Sequence, residues 1–171
     1  MTRNSFPCPA ICTRAPPPCP DLASASRAGA KSQLPFERCG AFVAHAIADI
    51  GTVNYTTSLV AGHHPLTADE GTATGGQDAG PSPHDMLCAA LGACTAITLR
   101  MYAQRKDWAL HGVHVDVLMA VVGKEHRSMT RRLRLTGDLD EAQRARLADI
   151  AERTPLTLTL KQGVAITTIL E

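Results

Sequence analysis

Apolar and polar residues change rhythm several times along this chain, and each change marks an element. From Phe42 to Ile50 apolar residues are frequent. Gly51 breaks the run, after which Val53, Tyr55, Thr57, Leu59 and Ala61 alternate with Asn54, Thr56 and Ser58. Gly62 leads into a third short extended stretch around Pro65–Ala68. Alternation of period two with glycine breaks predicts three strands in a meander. The glycines and proline between Asp69 and Pro81 predict a loop.

Ser82 then suits a helix N-cap, Pro83 the first turn, and Asp85 sets a negative charge near the positive end of the dipole. Residues 86–99 form a stretch of 14 without a charged side chain. A run apolar on every side but shorter than the roughly 20 residues of a membrane span predicts a buried core helix. Arg100 ends the dry part, and Gln104, Arg105, Lys106 and Asp107 mark the return to solvent. Beyond Gly112 the period is two again. Val113, Val115, Val117, Met119 and Val121 share one face, opposite His114 and Asp116. Leu133 and Leu135 alternate with Arg132, Arg134 and Thr136, and Arg131, Arg132 and Arg134 are expected on a solvated strand face. Asp138 and Glu141 resemble a capping box, starting a helix that ends near Arg153 because Pro155 follows. Residues 156–161 allow a further short helix, and Val164, Ile166 and Thr168 predict a last strand.

Strands and helices do not alternate regularly, so the expected class is α+β. Its order is a three-stranded N-terminal meander, a long buried central helix, two strands, a second helix and a final strand. One domain over residues 41–171 accounts for all of it. Residues 1–40 are rich in proline, alanine and serine and are expected to be a poorly ordered extension.

Composition narrows the partners. Lys plus Arg number 17 and Asp plus Glu 16, so a net charge of +1 provides no field to attract nucleic acid or an anionic membrane. Aromatic residues make up only 4% of the chain, which argues against a base-stacking surface. Small molecules or a second copy of the chain remain as partners. The N-terminal region lacks an apolar stretch of signal-peptide type, and a cytoplasmic location is the default expectation. Of the six cysteines, Cys8, Cys12, Cys19 and Cys39 lie in the extension, where no knuckle pattern surrounds them and no zinc site is expected. Cys88 and Cys94 lie in the apolar helix. Six helical residues turn through about 240° and rise ~9 Å, so these two thiols diverge too far to pair. His63 and His64, adjacent in an extended hairpin, should face opposite ways and not share a metal; no metal site is expected.

The segment Gly80-Pro81-Ser82-Pro83, followed by an alanine-rich helix holding Gly92-Ala93-Cys94-Thr95-Ala96, resembles the osmotically inducible protein C / organic hydroperoxide resistance (OsmC/Ohr) family. Thr98-Leu99-Arg100-Met101-Tyr102-Ala103 and the stretch at 137–147 are similar to its redox-protein branch. The resemblance implies an OsmC-like fold in an intertwined homodimer with active sites at the subunit interface. It implies that Cys94 is the peroxidatic thiol, attacking an organic hydroperoxide and passing through a sulfenic acid. A dithiol reductant, often a lipoyl group, then reopens the disulfide formed with a second cysteine; no bound cofactor is implied.

Three departures shape that expectation. The family's second cysteine precedes a proline, and the matching position here is Thr154, so resolution falls to an external or intermolecular thiol. A carboxylate ten residues before the reactive cysteine is matched by His84, with Asp85 adjacent; both are candidates to line the site. No Lys or Arg occurs between Arg38 and Arg100, so the family's N-terminal arginine is missing. A cation for Cys94 must then come from Arg100, Lys161, a histidine or a partner chain. The expected function is a thiol-dependent peroxidase of oxidative-stress defence; the alternative is a non-catalytic dimer of the same fold binding a small apolar ligand.

Overall fold

The computed structural model describes residues 44–122 and 126–170. The expected N-terminal extension, with Cys8, Cys12, Cys19 and Cys39, lies outside the described residues. Strands β1 (Ala46–Ile50), β2 (Thr57–Ala61) and β3 (His64–Ala68) form an antiparallel sheet in sequence order. The predicted meander is therefore present, with β2 shorter than the alternation suggested: residues 51–56 carry no strand pairing. Gly62, at φ +64°, makes the tight β2–β3 turn.

The loop after β3 is built around Asp69, a buried carboxylate that the sequence alone marks as no more than a turn residue. It accepts hydrogen bonds from the backbone N–H of Glu70 (2.8 Å), Gln77 (3.1 Å) and Ala79 (3.1 Å), and from the Thr56 hydroxyl (3.2 Å). Burial pushes its pKa up, but these bonds outweigh burial and hold it below the ordinary carboxylate value. A carboxyl whose folded pKa is depressed binds fewer protons folded than unfolded. Its contribution is complete above an unfolded pKa of about 3.9 and is lost as pH falls through the lower folded value. Asp69→Asn, which removes one charged acceptor, should lower stability at neutral pH and flatten the acid limb of a stability–pH curve. Equal acid limbs for variant and wild type in urea titrations would count against this role for Asp69.

That loop delivers the chain to α1 (Pro83–Arg105). Ser82 caps it as expected: its Oγ accepts from the Asp85 N–H, and the Asp85 carboxylate accepts in return from the Ser82 N–H. The helix is long and apolar enough to cross a membrane by length and composition. It is nonetheless tied into the fold by contacts with β4, α2 and α3. Only a stripe at every fourth residue, Leu91, Thr95, Leu99 and Ala103, is buried. The opposite side is open, with Ile97 60% and Met101 47% exposed. The expectation of burial on every side is thus corrected: one chain covers one face.

Strands β4 (Ala109–Val122) and β5 (His126–Asp138) form a long antiparallel pair against α1. Val113, Val115, Val117 and Met119 are half-buried and alternate with exposed residues, as predicted, but Val121, expected on the same face, is 65% exposed near the end of the strand. Gly137 closes the pair at φ +140°, where a Cβ would collide with the Ala109 carbonyl oxygen, so only glycine fits. Helix α2 (Glu141–Ala151) has its cap two residues beyond the predicted one: Asp140, with Gln143, forms the capping box. The Arg144 guanidinium donates to the carbonyls of Leu135, Gly137 and Leu139, fixing α2 to the end of β5. Leu99, Ala103, Leu110, Leu139, Leu147 and Ala151 make the core, flanked by Tyr102 and Trp108 packed edge to face at 5.6 Å.

Helix α3 (Pro155–Gln162) realises the predicted short helix, capped by Thr154. The predicted final strand is not formed. Residues 163–170 have no strand pairing among the described residues, and Ile166 and Leu170 are 89% and 97% exposed. Alternation marks a segment able to pair, but a ladder also needs an available edge, and none meets it among the described residues.

Candidate functional site

The site grows from the buried stripe of α1. Thr95 sits in it, wholly enclosed, and its hydroxyl donates to the Leu91 carbonyl at 2.8 Å. Cys94 lies one step round the helix and is half-buried with a free thiol. Seven residues bring a helix round to within about 20° of its start, so Cys94 projects along the same line as Leu87, two turns earlier. Thr98 donates its hydroxyl to the Cys94 carbonyl at 2.7 Å. Cys88, also free, faces β4 with Ala89, Gly92 and Ala93 in a cavity of about 320 Å³ walled by Val113, Val115 and Val117. The two thiols diverge, as helix geometry required.

Across from Thr95 stands Arg131 of β5, its side chain only 9% exposed. Its Nη1 donates to Thr95 Oγ1 at 2.8 Å and to Thr157 Oγ1 at 3.0 Å. Its Nη2 donates to the Ala151 carbonyl at 2.6 Å and to Glu152 Oε1 at 3.1 Å. Arg131 is therefore not on the solvated face with Arg132 and Arg134. The signal is present in the sequence: Arg131 has the same parity as Leu133 and Leu135, and in a strand parity decides the face.

Thr154 completes the cluster. It is fully buried, with its hydroxyl 2.6 Å from that of Thr157, the hydroxyl that Arg131 also holds. One guanidinium thus links the turn after Cys94 to the cap that stands where the family's second cysteine was expected. Of the cations expected near Cys94, Arg100 is engaged elsewhere, donating to the Leu110 and His111 carbonyls. Lys161 reaches Glu152 Oε2 at 2.7 Å. That bond, with support from Arg131, holds the Glu152 carboxyl below its ordinary pKa.

His84 and Asp85 lie apart from this cluster. With Cys88 and Arg127 they line a separate cavity of about 330 Å³ beside the far end of β4. Asp85 is occupied by its cap; the Ser82 hydroxyl and N–H, with His84 nearby, lower its pKa. His63 and His64 do not point to opposite faces, because the turn brings their rings to 4.0 Å. Among the described residues no group of three or more His, Cys, Asp or Glu could hold a metal ion.

A family model described as OsmC-like protein matches residues 75–169. A sequence search among curated proteins found no match. Among solved structures, an OsmC-like protein from Mycoplasma pneumoniae aligns with a TM-score of 0.62 at 15% identity, covering 71% of this chain and 89% of that one. An organic hydroperoxide resistance protein OsmC from Legionella pneumophila aligns at 0.55 and 19% identity, over 72% and 92%. The organic hydroperoxide resistance protein OhrB of Bacillus subtilis aligns at 0.50 and 18%, over 70% and 91%. These likenesses give the fold, and the family model, spanning more than half the chain and including the whole of α1, gives the membership: this chain belongs to the OsmC/Ohr family.

Proposed function

We propose that this chain is a thiol-dependent peroxidase that reduces organic hydroperoxides at Cys94, in oxidative-stress defence in the cytoplasm. The observation that carries the reading is the Arg131 bridge. It ties the residue after Cys94 to Thr157 and Thr154, so the reactive-cysteine turn and the second-cysteine position meet in one buried network. The family membership and the hydroperoxide-resistance names of the Legionella pneumophila and Bacillus subtilis relatives support it.

The Cys94 thiolate attacks the terminal oxygen of the hydroperoxide and the O–O bond breaks. The alkoxide leaves, gains a proton and becomes the alcohol, while sulfur is left as sulfenic acid. Thr154 offers no thiol, so an external dithiol of lipoyl type, or a thiol of another chain, attacks the sulfenic sulfur and releases water. The second thiol then opens the mixed disulfide. Arg131 supplies a fixed positive charge beside this turn, on a different element from the N-terminal arginine of the family. The working unit is a homodimer: the open face of α1 and the unpaired segment 163–170 expose a large apolar surface that a second copy would cover.

Peptide mapping and intact mass after one equivalent of cumene hydroperoxide test the reading. One oxygen should appear on Cys94 and vanish with added dithiol, and Cys94→Ser should abolish peroxide consumption. A Cys94→Ser protein that consumes the peroxide as fast as wild type ends the proposal. Thr154 in place of a thiol favours a second reading, a non-catalytic dimer that binds a small apolar ligand. Such a protein would leave Cys94 unoxidised in the same experiment.

A further inference from the structure

We propose that the cavity between α1, the β4–β5 pair and α3, which shares Arg131 and Thr157 with the network beside Cys94, binds a small amphipathic carboxylate whether or not Cys94 turns over peroxide. The cavity measures about 500 Å³, and Cys94 is not part of its lining. Small-molecule sites commonly measure about 300–1,000 Å³, and this cavity falls within that range.

Its walls divide by character. Leu87 and Leu91 from α1, Leu160 from α3, and Met119 and Met129, paired across the strands, form an apolar part. Methionine side chains adapt to chains of different shape. The polar part holds three cations, Arg127, Arg131 and Lys161, against one carboxylate, Glu152. A cavity with an oily side and a surplus of positive charge selects a molecule with an oily body and one negative group.

The unbound arrangement shows where that group sits. Lys161 Nζ rests on Glu152 Oε2 at 2.7 Å, and Glu152 Oε1 reaches Arg131 at 3.1 Å. Both Lys161 and Glu152 are more than half exposed, so their pair is easily exchanged. Arg131 is committed to Thr95, Thr157 and the Ala151 carbonyl and provides field rather than a free donor. An incoming carboxylate takes the Glu152 place on Lys161, with Arg127 at the rim as the second donor. Glu152 acts as an internal competitor.

The probes are 4-phenylbutyrate and its neutral analogue 4-phenylbutanol, titrated calorimetrically into the full chain. The acid should bind about tenfold or more tightly than the alcohol, since one charged hydrogen-bonded pair accounts for that difference. Lys161→Met should weaken the acid about tenfold and leave the alcohol unchanged, whereas Glu152→Gln should tighten the acid by removing its rival. Both side chains are exposed, so thermal melts should confirm that each variant is folded. Equal binding of acid and alcohol, no binding of either at millimolar concentration, unchanged acid affinity in Lys161→Met, or weaker acid binding in Glu152→Gln each overturns the proposal.

Discussion

Thr154→Cys should convert a single-thiol site into one that closes its own disulfide. Thr154 is fully enclosed at the cap of α3, and its hydroxyl shares with Thr95 the network centred on Arg131. A thiol at this position would stand at one end of a chain of contacts that runs through Thr157 and Arg131 to Thr95, the residue after Cys94. After hydroperoxide has formed the sulfenic acid, the introduced thiol attacks it, water leaves, and a disulfide joins the two sulfurs. An intramolecular attack gains over a bimolecular one through effective concentration, so dithiothreitol-dependent turnover should rise roughly ten- to a hundredfold over wild type. Loss of the threonine cap costs about 1 kcal/mol, small enough to leave the protein folded. Non-reducing peptide maps of the oxidised variant make the test. If the introduced thiol stays free while Cys94 sulfenic acid accumulates, the two positions do not face each other.

The second large effect concerns Arg131. Arg131→Met keeps much of the side-chain volume but removes four hydrogen bonds from a buried guanidinium. The acceptors are not all stranded. Thr95 still donates to Leu91, and Thr157 keeps Thr154 and can donate to the Ala151 carbonyl at 3.3 Å. The loss should therefore fall short of a fully broken buried ion pair, at about 2–3 kcal/mol. Arg132, its side chain 72% exposed, is paired with Asp116 only at 3.4 Å, so Arg132→Met should change stability by less than ~0.5 kcal/mol. Arg131→Lys keeps the charge but cannot fork to four acceptors, so it should fall between them. Urea denaturation of the three variants makes the comparison. Indistinguishable midpoints for Arg131→Met and Arg132→Met would show that burial of the guanidinium contributes nothing.

Local signals are legible in this sequence and long-range ones are not. The Ser82–Asp85 cap, the valine face of β4 and the break at Pro155 depend on neighbours a few residues away, and each appears where expected. The cap of the second helix lies two residues later than predicted, because Asp138 and Asp140 both suit the role and only packing chooses between them. Asp69 gives no sign in the sequence because its partners, at positions 56, 70, 77 and 79, share no periodicity. Charge groups Arg131 with its neighbours, although strand parity separates it from them. The apolar run of α1 shows that the helix avoids water, but not how much of that shelter comes from its own chain. The final strand finds no partner among the described residues for a related reason: a pattern can announce readiness to pair without naming the edge.

Trp108, the sole tryptophan, lies half-buried beside Tyr102 where α1 turns into β4. Its emission therefore watches a single junction, far along the chain from the meander. Should the small sheet melt ahead of the helical core, fluorescence would stay constant while far-ultraviolet dichroism changed, and the gap between the two curves would expose a folding intermediate that either probe alone conceals.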